Sequence, residues 1–161
     1  MEPRLFSISD MERDELTGLY TRNAFMQYAT EALSKNLDTE YLLMISDIAG
    51  FKHIISFYGE READEVMKEN ARLVTTIMPE GTVMGRYNLD QIACLVPMNE
   101  TFYEREAENQ KKTTLISVDG IKAKLKVGAC KCVDRNVSLK IYVEHAMAAL
   151  ESIKHRYGHC V

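Results

Sequence analysis

Residues 41–52 read YLLMISDIAGFK. The first five are all apolar, and a short apolar run without polar alternation predicts a strand buried on both faces. The apolar character is lost at Ser46 and Asp47, where we expect the strand to end. A carboxylate at the end of a buried strand is the first candidate for chemistry in this chain.

The segments around this strand alternate between helical and strand-like patterns. Apolar residues at helical spacing predict helices over 23–35, 59–78, 101–112 and 139–157. Strand-like runs form two hairpins, over 82–87 with 92–96 and over 113–118 with 121–133. The second hairpin is joined by Asp119-Gly120, a residue pair that favours the positive φ angles of a tight turn. The sequence therefore predicts an α/β (α+β) domain with helices packed on a mostly antiparallel sheet.

Composition limits the classes of function. The chain has 161 residues, with 20 basic and 24 acidic side chains and a net charge of -4. A protein that binds the phosphate backbone of nucleic acids usually has an excess of basic residues, which is missing here. There is also no polybasic cluster that would bind a membrane surface. No apolar run approaches the roughly 18 residues of a membrane span, and the polar N-terminus does not resemble a signal peptide. We therefore expect a cytoplasmic domain without membrane contact.

The cysteines and C-terminal histidines allow two readings. The four cysteines form no C-x-x-C pair, which favours free thiols in a reducing compartment. His155 and His159 stand four residues apart and could present two imidazoles to a metal, although an exposed pair at the end of a helix is the simpler interpretation.

Two acids occupy positions of interest at strand ends. Asp47 follows the buried strand, and Asp90 lies in the turn of the first hairpin. If that hairpin pairs beside the buried strand, both carboxylates approach one edge of the sheet. Paired carboxylates on adjacent strands can hold Mg²⁺ against a triphosphate, as in palm-type polymerases and cyclases, although acids at strand ends are more often ordinary solvated surface.

Several motifs resemble those of one family, in the family's order. Residues 14–25 read DELTGLYTRNAF, which resembles the D-x-L-T-G-L-x-N-R-x-x-F signature of the GGDEF domain, the diguanylate cyclase module. Residues 46–52 read SDIAGFK and resemble its D-I-D-x-F-K block, with Ala49 in place of the second Asp. Residues 86–92 read RYNLDQI where the family has R-x-G-G-D-E-F. Gly59, Asp64 and Lys154 match further partial motifs.

The resemblance implies a fold and a set of site residues. It implies a ferredoxin-like palm with a five-stranded sheet, and an enzyme that joins two GTP molecules into cyclic di-GMP across a homodimer with Mg²⁺. The metal ligands would be Asp47, the carbonyl of Ile48, and Asp90. Lys52 and Lys154 would bind phosphate, although each could also be an ordinary surface lysine.

The same comparison indicates where the site is substituted. Asn88 and Leu89 replace two glycines that let a nucleotide lie against bare backbone, and Gln91 replaces an acid associated with catalysis. On the base-reading side, Asp64 is retained, but Ile55 and Ser56 stand where the family has Asn-Asp. Residues 79–82 lack the R-x-x-D of the family's feedback site, which is optional even in active members.

We therefore expect residues 14–161 to form a degenerate GGDEF domain, with 1–13 as a linker or the end of an upstream helix. Its expected role is regulatory, by dimerisation, nucleotide sensing or contact with another signalling domain. Two alternatives stay open: a weakly active diguanylate cyclase, and a receptor that binds GTP or another nucleotide without chemistry. The alternating Lys122, Lys124 and Lys126 are read as a solvated strand face rather than a phosphate track.

Overall fold

Helices and strands follow one another along the chain in the computed structural model, which describes residues 11–109 and 115–158, without the side chains of 103, 106–109 and 153–158. The helices of this part are α1 (Arg22–Lys35), α2 (Phe51–Tyr58), α3 (Glu60–Ile77), α4 (Glu100–Asn109) and α5 (Leu139–Gly158). The strands are β1 (Tyr41–Ile48), β2 (Val83–Arg86), β3 (Ile92–Pro97), β4 (Leu115–Val118) and β5 (Ile121–Lys131).

The strand predicted from the apolar run, β1, lies at the centre of a five-stranded antiparallel sheet. The strand order is β2-β3-β1-β5-β4, and every residue of β1 is buried. The strand continues to Ile48 because Ser46 is still paired with Ile92 on one side and with Val127 on the other. The predicted mixed fold with a five-stranded, largely antiparallel sheet is confirmed.

Alternate residues of β1 enter two separate cores, as the pleat of a strand requires. Those packed with α2 and α3 are Leu42, Met44 and Ile48, and those packed with α1 and α5 are Tyr41, Leu43 and Ile45. By the same alternation, Ser46 faces the α2 and α3 side and Asp47 faces the α1 and α5 side. The candidate carboxylate therefore lies on the face of the sheet that α5 covers.

A glycine brings α5 unusually close to β5. A Cβ atom at Gly128 would lie 2.2 Å from the carbonyl oxygen of Ala146 and 2.7 Å from the backbone nitrogen of Leu150. Both atoms belong to the helix backbone, so neither can rotate away. Glycine at this position is thus what allows α5 to lie against the strand that neighbours Asp47.

The helix predicted over 59–78 is present as α3, whereas α2, which precedes it, was not predicted. The two helices are divided at Gly59, which has a φ of 92°. A left-handed residue breaks the helical hydrogen-bond ladder, and glycine adopts it without steric cost. The predicted hairpin turn is confirmed, because Asp119 and Gly120 have φ angles of 48° and 84°.

The segment before α1 is tied to the sheet. The amide of Tyr20 donates to the Met84 carbonyl at 3.1 Å, and the amide of Arg86 donates to the Tyr20 carbonyl at 2.9 Å. Glu12, which falls in the predicted linker, accepts a hydrogen bond from the Tyr28 hydroxyl at 2.7 Å. The boundary at residue 13 stays a prediction.

None of the helices in the described ranges is both long enough and apolar enough to cross a lipid bilayer.

Candidate functional site

Both predicted carboxylates lie at the end of β1, one on the strand and one on the adjacent hairpin turn. Asp47 is 3% exposed in β1, and Asp90 lies in the turn between β2 and β3. The backbone N–H of Ile48 donates to Oδ2 of Asp90 at 3.2 Å. Because β3 pairs directly with β1, the hairpin turn brings Asp90 to the residue that follows Asp47. Ile48 and Asp90 are thus in contact, and Asp47 is the residue before Ile48 on the strand; the role of the three as metal ligands stays a prediction.

The turn that carries Asp90 is closed by its own residues. The side-chain amide of Asn88 donates to Oε1 of Gln91 at 2.6 Å. The backbone amide of Tyr87 donates to the Gln91 carbonyl at 2.8 Å, and that of Gln91 donates to the Asn88 carbonyl at 3.3 Å. Two residues that differ from the family signature therefore hydrogen-bond to each other across the turn.

Arg86 links this turn to the N-terminal segment. Its guanidinium donates to the carbonyl of Leu89 at 2.8 Å and 3.2 Å, and to the carboxylate of Asp14 at 3.3 Å and 3.4 Å. Asp14 also accepts hydrogen bonds from the amide and hydroxyl of Thr17. Burial alone would raise the pKa of Asp14, but the hydrogen bonds from Thr17 and the charge of Arg86 outweigh it and lower that pKa.

Arg22 also contacts the turn, although the sequence analysis assigned it no role. Its guanidinium lies 4.2 Å from the ring centroid of Tyr87, donates to the Tyr87 hydroxyl at 3.1 Å, and donates to Oδ1 of Asn88 at 3.4 Å. Arg22 belongs to the first sequence motif, so its position in that motif was visible. Its partner, 65 residues away, was not.

Leu89 occupies the turn without left-handed backbone. Among the described non-glycine residues, only Asp119 has a positive φ angle. The sequence indicated a residue poorly suited to a tight turn, and the structure accommodates it by leaving the side chain 55% exposed. The side chain therefore occupies the outside of a turn where the family's glycine has none.

The predicted phosphate-binding and base-reading residues lie on α2, α3 and α5. Lys52 is exposed in the first turn of α2, and Asp64 is exposed on α3. Ile55 is partly buried, and its side chain packs against the core under α2 and α3. Lys154 lies in α5, outside the residues whose side chains are described, and His155 and His159 are outside them too. The roles assigned to these residues stay predictions.

The three strand lysines are not equivalent. Lys122 and Lys124 are exposed, as a solvated strand face requires, whereas Lys126 is only partly exposed. The register of β5 against β1 pairs Lys126 with Asp47. Residues directly opposite in an antiparallel pair point to the same face of the sheet, so Lys126 and Asp47 are neighbours. The sequence pattern could show the alternation but not this register.

The donor chemistry at β1 suits Mg²⁺ in kind. Asp47 and Asp90 offer carboxylate oxygens, the hard ligands that Mg²⁺ prefers. Within residues 11–109 and 115–158, no group of three or more His, Cys, Asp or Glu side chains is placed to hold a metal ion. A bound Mg²⁺ would therefore take its remaining ligands from backbone carbonyl, water and the phosphates of a nucleotide. Its contribution there would be to neutralise phosphate charge.

The described cysteines are free thiols. Burial raises the pKa of Cys94 to about 12 and that of Cys132 to about 11. Cys130 is partly exposed, with its sulfur 3.9 Å from Nδ1 of His145, and burial raises its pKa as well. Thiols with raised pKa values are poor nucleophiles at neutral pH, so these residues offer no evident catalytic group.

Comparison with known proteins assigns the fold and the family. The sequence model described as "Diguanylate cyclase, GGDEF domain" matches residues 11–159. The chain belongs to the GGDEF family. This GGDEF domain is 29% identical over 86 residues to the diguanylate cyclase DgcM of Escherichia coli K12, an alignment that spans 52% of the chain and 21% of DgcM. The aligned part is thus about a fifth of the length of that curated relative.

Solved structures show the same fold. The GGDEF domain of DgcB from Caulobacter crescentus, in complex with c-di-GMP, superposes with a TM-score of 0.75 at 20% identity over 96% of this chain and 94% of that one. Diguanylate cyclase SiaD of Pseudomonas aeruginosa, in complex with its activator SiaC, gives 0.74 at 23% identity over 89% and 58%. The FimX GGDEF domain from the same organism gives 0.65 at 17% identity over 88% and 94%.

Proposed function

We propose that this chain is a degenerate GGDEF domain of cyclic di-GMP signalling that acts as a regulatory module and does not make cyclic di-GMP. The observation that carries the proposal is the hydrogen bond between Asn88 and Gln91, which closes the signature turn on itself. A turn that satisfies its own polar groups has fewer donors left for a nucleotide, and Leu89 replaces a glycine at the same place.

Charge and base recognition point in the same direction. Gln91 is neutral where active relatives are expected to carry an acid, so one negative charge near the metals is missing. Ile55 packs against the core and has no group to hydrogen-bond a guanine edge. Each unpaired polar edge of a bound base costs about 1–3 kcal/mol, which corresponds to roughly one to two decades in affinity.

The regulatory role would be exercised in the cytoplasm through a homodimer or through another signalling domain. Among the solved relatives, one domain is in complex with c-di-GMP and one cyclase is in complex with an activator protein. Both kinds of partner are therefore reasonable candidates here, and GTP with Mg²⁺ is the nucleotide ligand to test first.

A weakly active cyclase is the second candidate, because both expected metal-binding carboxylates are retained and Asp90 accepts a hydrogen bond from Ile48, the residue after Asp47. In that case Asp47, Asp90 and Lys52 would be the residues that hold the metal and the triphosphate. A third candidate, a GTP receptor without chemistry, requires metal-dependent binding that Asp90→Ala abolishes.

The test is a turnover assay with GTP at high protein concentration, with Mg²⁺ and then Mn²⁺, analysed for cyclic di-GMP by chromatography. We expect no product. Product formation that is lost in Asp47→Ala and in Asp90→Ala would overturn the proposal in favour of the enzyme. Product that survives both substitutions would indicate a contaminating cyclase, and the preparation would be repeated from a host without one.

Calorimetric titration with GTP, with ATP as the control, separates the remaining candidates. Metal-dependent heat with GTP alone supports nucleotide sensing. Absence of heat with either nucleotide supports a module that acts through protein contacts, and sedimentation then reports whether it dimerises.

A further inference from the structure

We propose that the ammonium group of Lys126 is the resident counter-ion of Asp47 and takes the place that a divalent cation would occupy beside that carboxylate. The inference concerns the same site as the proposed function, but it rests on strand register. The pairing can therefore be tested by Mn²⁺ binding and by stability, without an assay of cyclic di-GMP synthesis.

The register of β5 against β1 places Lys126 beside Asp47. β5 runs antiparallel to β1 with Asp47 opposite Lys126 and Ile48 opposite Leu125. Side chains directly opposite in such a pair have Cβ atoms about 4.5–5.5 Å apart and point to the same face. The flexible four-carbon stem of a lysine can then bring its ammonium to the neighbouring carboxylate.

Asp47 is removed from solvent, and Lys126 is partly removed from it. Asp47 is 3% exposed and Lys126 is only partly exposed, whereas Lys122 and Lys124 of the same strand are exposed. An ionised carboxylate removed from water needs an opposite charge or hydrogen bonds close by. Lys126 is the least exposed of the lysines of β5.

Helix α5 covers β5 close to Lys126. Gly128, two residues from Lys126, lets the backbone of α5 approach β5 at Ala146 and Leu150. This contact limits access of water to the face that holds the Asp47–Lys126 pair, and charges interact more strongly where water is excluded. Glu151 follows Leu150 on α5 and is the other acid that could attract Lys126.

The consequence is competition. Mg²⁺ and an ammonium group cannot occupy the same side of one carboxylate, and a fixed positive charge within roughly 5 Å repels a divalent ion. Asp47 then contributes to the stability of the β1–β5 pair and is a poor metal ligand, even though Asp90 lies near it.

The test titrates the whole chain with Mn²⁺ in the absence of nucleotide. Binding is measured as the loss of the electron paramagnetic resonance signal of free Mn²⁺. We expect weak binding by the parent protein and by Lys126→Arg, which keeps the charge. Lys126→Ser should bind Mn²⁺ about tenfold more tightly or better, because the competing charge is gone. The gain should disappear in the double variant Asp47→Asn with Lys126→Ser.

The matched control is Lys124→Ser, which removes the same charge from the same strand face one alternate position away. It should bind Mn²⁺ as weakly as the parent does. Equal affinity in Lys126→Ser and Lys124→Ser would overturn the proposal, as would tight Mn²⁺ binding by the parent.

A second measurement needs no metal. In a double-mutant cycle, the unfolding free energies of Asp47→Asn, Lys126→Gln and the double variant should be non-additive, whereas the cycle of Asp47→Asn with Lys124→Gln should be additive. An additive first cycle contradicts the pairing, and coupling of Lys126 to Glu151→Gln in its place would identify the competing partner. Cyclase activity in the parent would overturn the proposed function, whereas the double-mutant cycle reports the Asp47–Lys126 pairing by itself.

Discussion

Arg86 holds Asp14 at 3.3 Å across 72 residues of sequence while the same guanidinium binds the carbonyl of Leu89. One side chain thus connects the N-terminal turn to the signature turn. Both partners are only partly exposed, so the interaction is less screened by water than a surface ion pair. Arg86 thus adds contacts to the signature turn beyond the pairing of β2 with β3.

Replacement of this arginine should therefore loosen the domain. We expect Arg86→Gln to lower the free energy of unfolding by about 1–3 kcal/mol, since it removes the positive charge that pairs with Asp14 and two hydrogen bonds to the Leu89 carbonyl. Urea unfolding followed by circular dichroism measures the loss. Arg72→Gln, which removes an exposed ion pair with Glu69 on α3, is the matched control and should unfold at the parent's midpoint.

The stability of the domain should fall in acid through Asp14. Its folded-state pKa is lowered, so it binds a proton less readily in the folded than in the unfolded chain. Its contribution is therefore complete above the unfolded pKa of about 3.9 and is lost as the pH falls through the lower folded value. The difference in melting temperature between the parent and Asp14→Asn should be constant from pH 5 to 7 and shrink below about pH 4. A constant difference down to pH 2 would contradict this assignment.

A single methyl group at Gly128 should be hard to tolerate. Gly128→Ala places a Cβ 2.2 Å from the Ala146 carbonyl oxygen, and the backbone of α5 must move to relieve the clash. We expect a loss of about 3 kcal/mol or more, or failure to fold. Gly18→Ala is the comparison: it has φ of 73° but open space around the new Cβ, so only backbone strain of about 1 kcal/mol is expected. Similar losses in both variants would show that α5 can move away from β5.

Removal of a buried amide should stabilise the fold. Asn70 on α3 is completely buried, and its amide nitrogen and oxygen have no hydrogen-bond partner among the described residues. Asn70→Leu, of similar shape, should raise the unfolding free energy by about 1–2 kcal/mol, because an unsatisfied polar group is replaced by an apolar one. In Asn99→Leu the same substitution removes an acceptor for the Phe102 amide and should destabilise the protein. Destabilisation of Asn70→Leu would indicate that the amide has a partner, such as a buried water.

Thiol labelling should follow burial. In a Cys160→Ser background, we expect the partly exposed Cys130 to react first with a disulfide reagent at pH 8. Cys94 and Cys132, with pKa values of about 12 and 11, should react only after the protein unfolds. Prompt reaction of Cys94 in the folded protein would contradict the burial of β3.

Local sequence was sufficient for most of the elements. The apolar run of β1, the helical spacing of α1, α3 and α5, and the Asp119-Gly120 turn each depend on neighbours a few residues apart, so they are visible without the fold. The eight-residue helix α2 before Gly59 was missed, because a segment of two helical turns carries little apolar periodicity. The motif order was also enough for the family.

The sequence by itself determined most of the elements, the family and the identity of the substituted residues, because propensity, periodicity and motif are properties of adjacent positions. Only the tertiary structure decided which side chains meet: Asn88 with Gln91 across the turn, Arg22 with Tyr87, and Asp47 opposite Lys126. Strand register and turn closure depend on contacts between residues distant in sequence, and a shift of one residue in β5 would have placed Lys126 on the other face of the sheet.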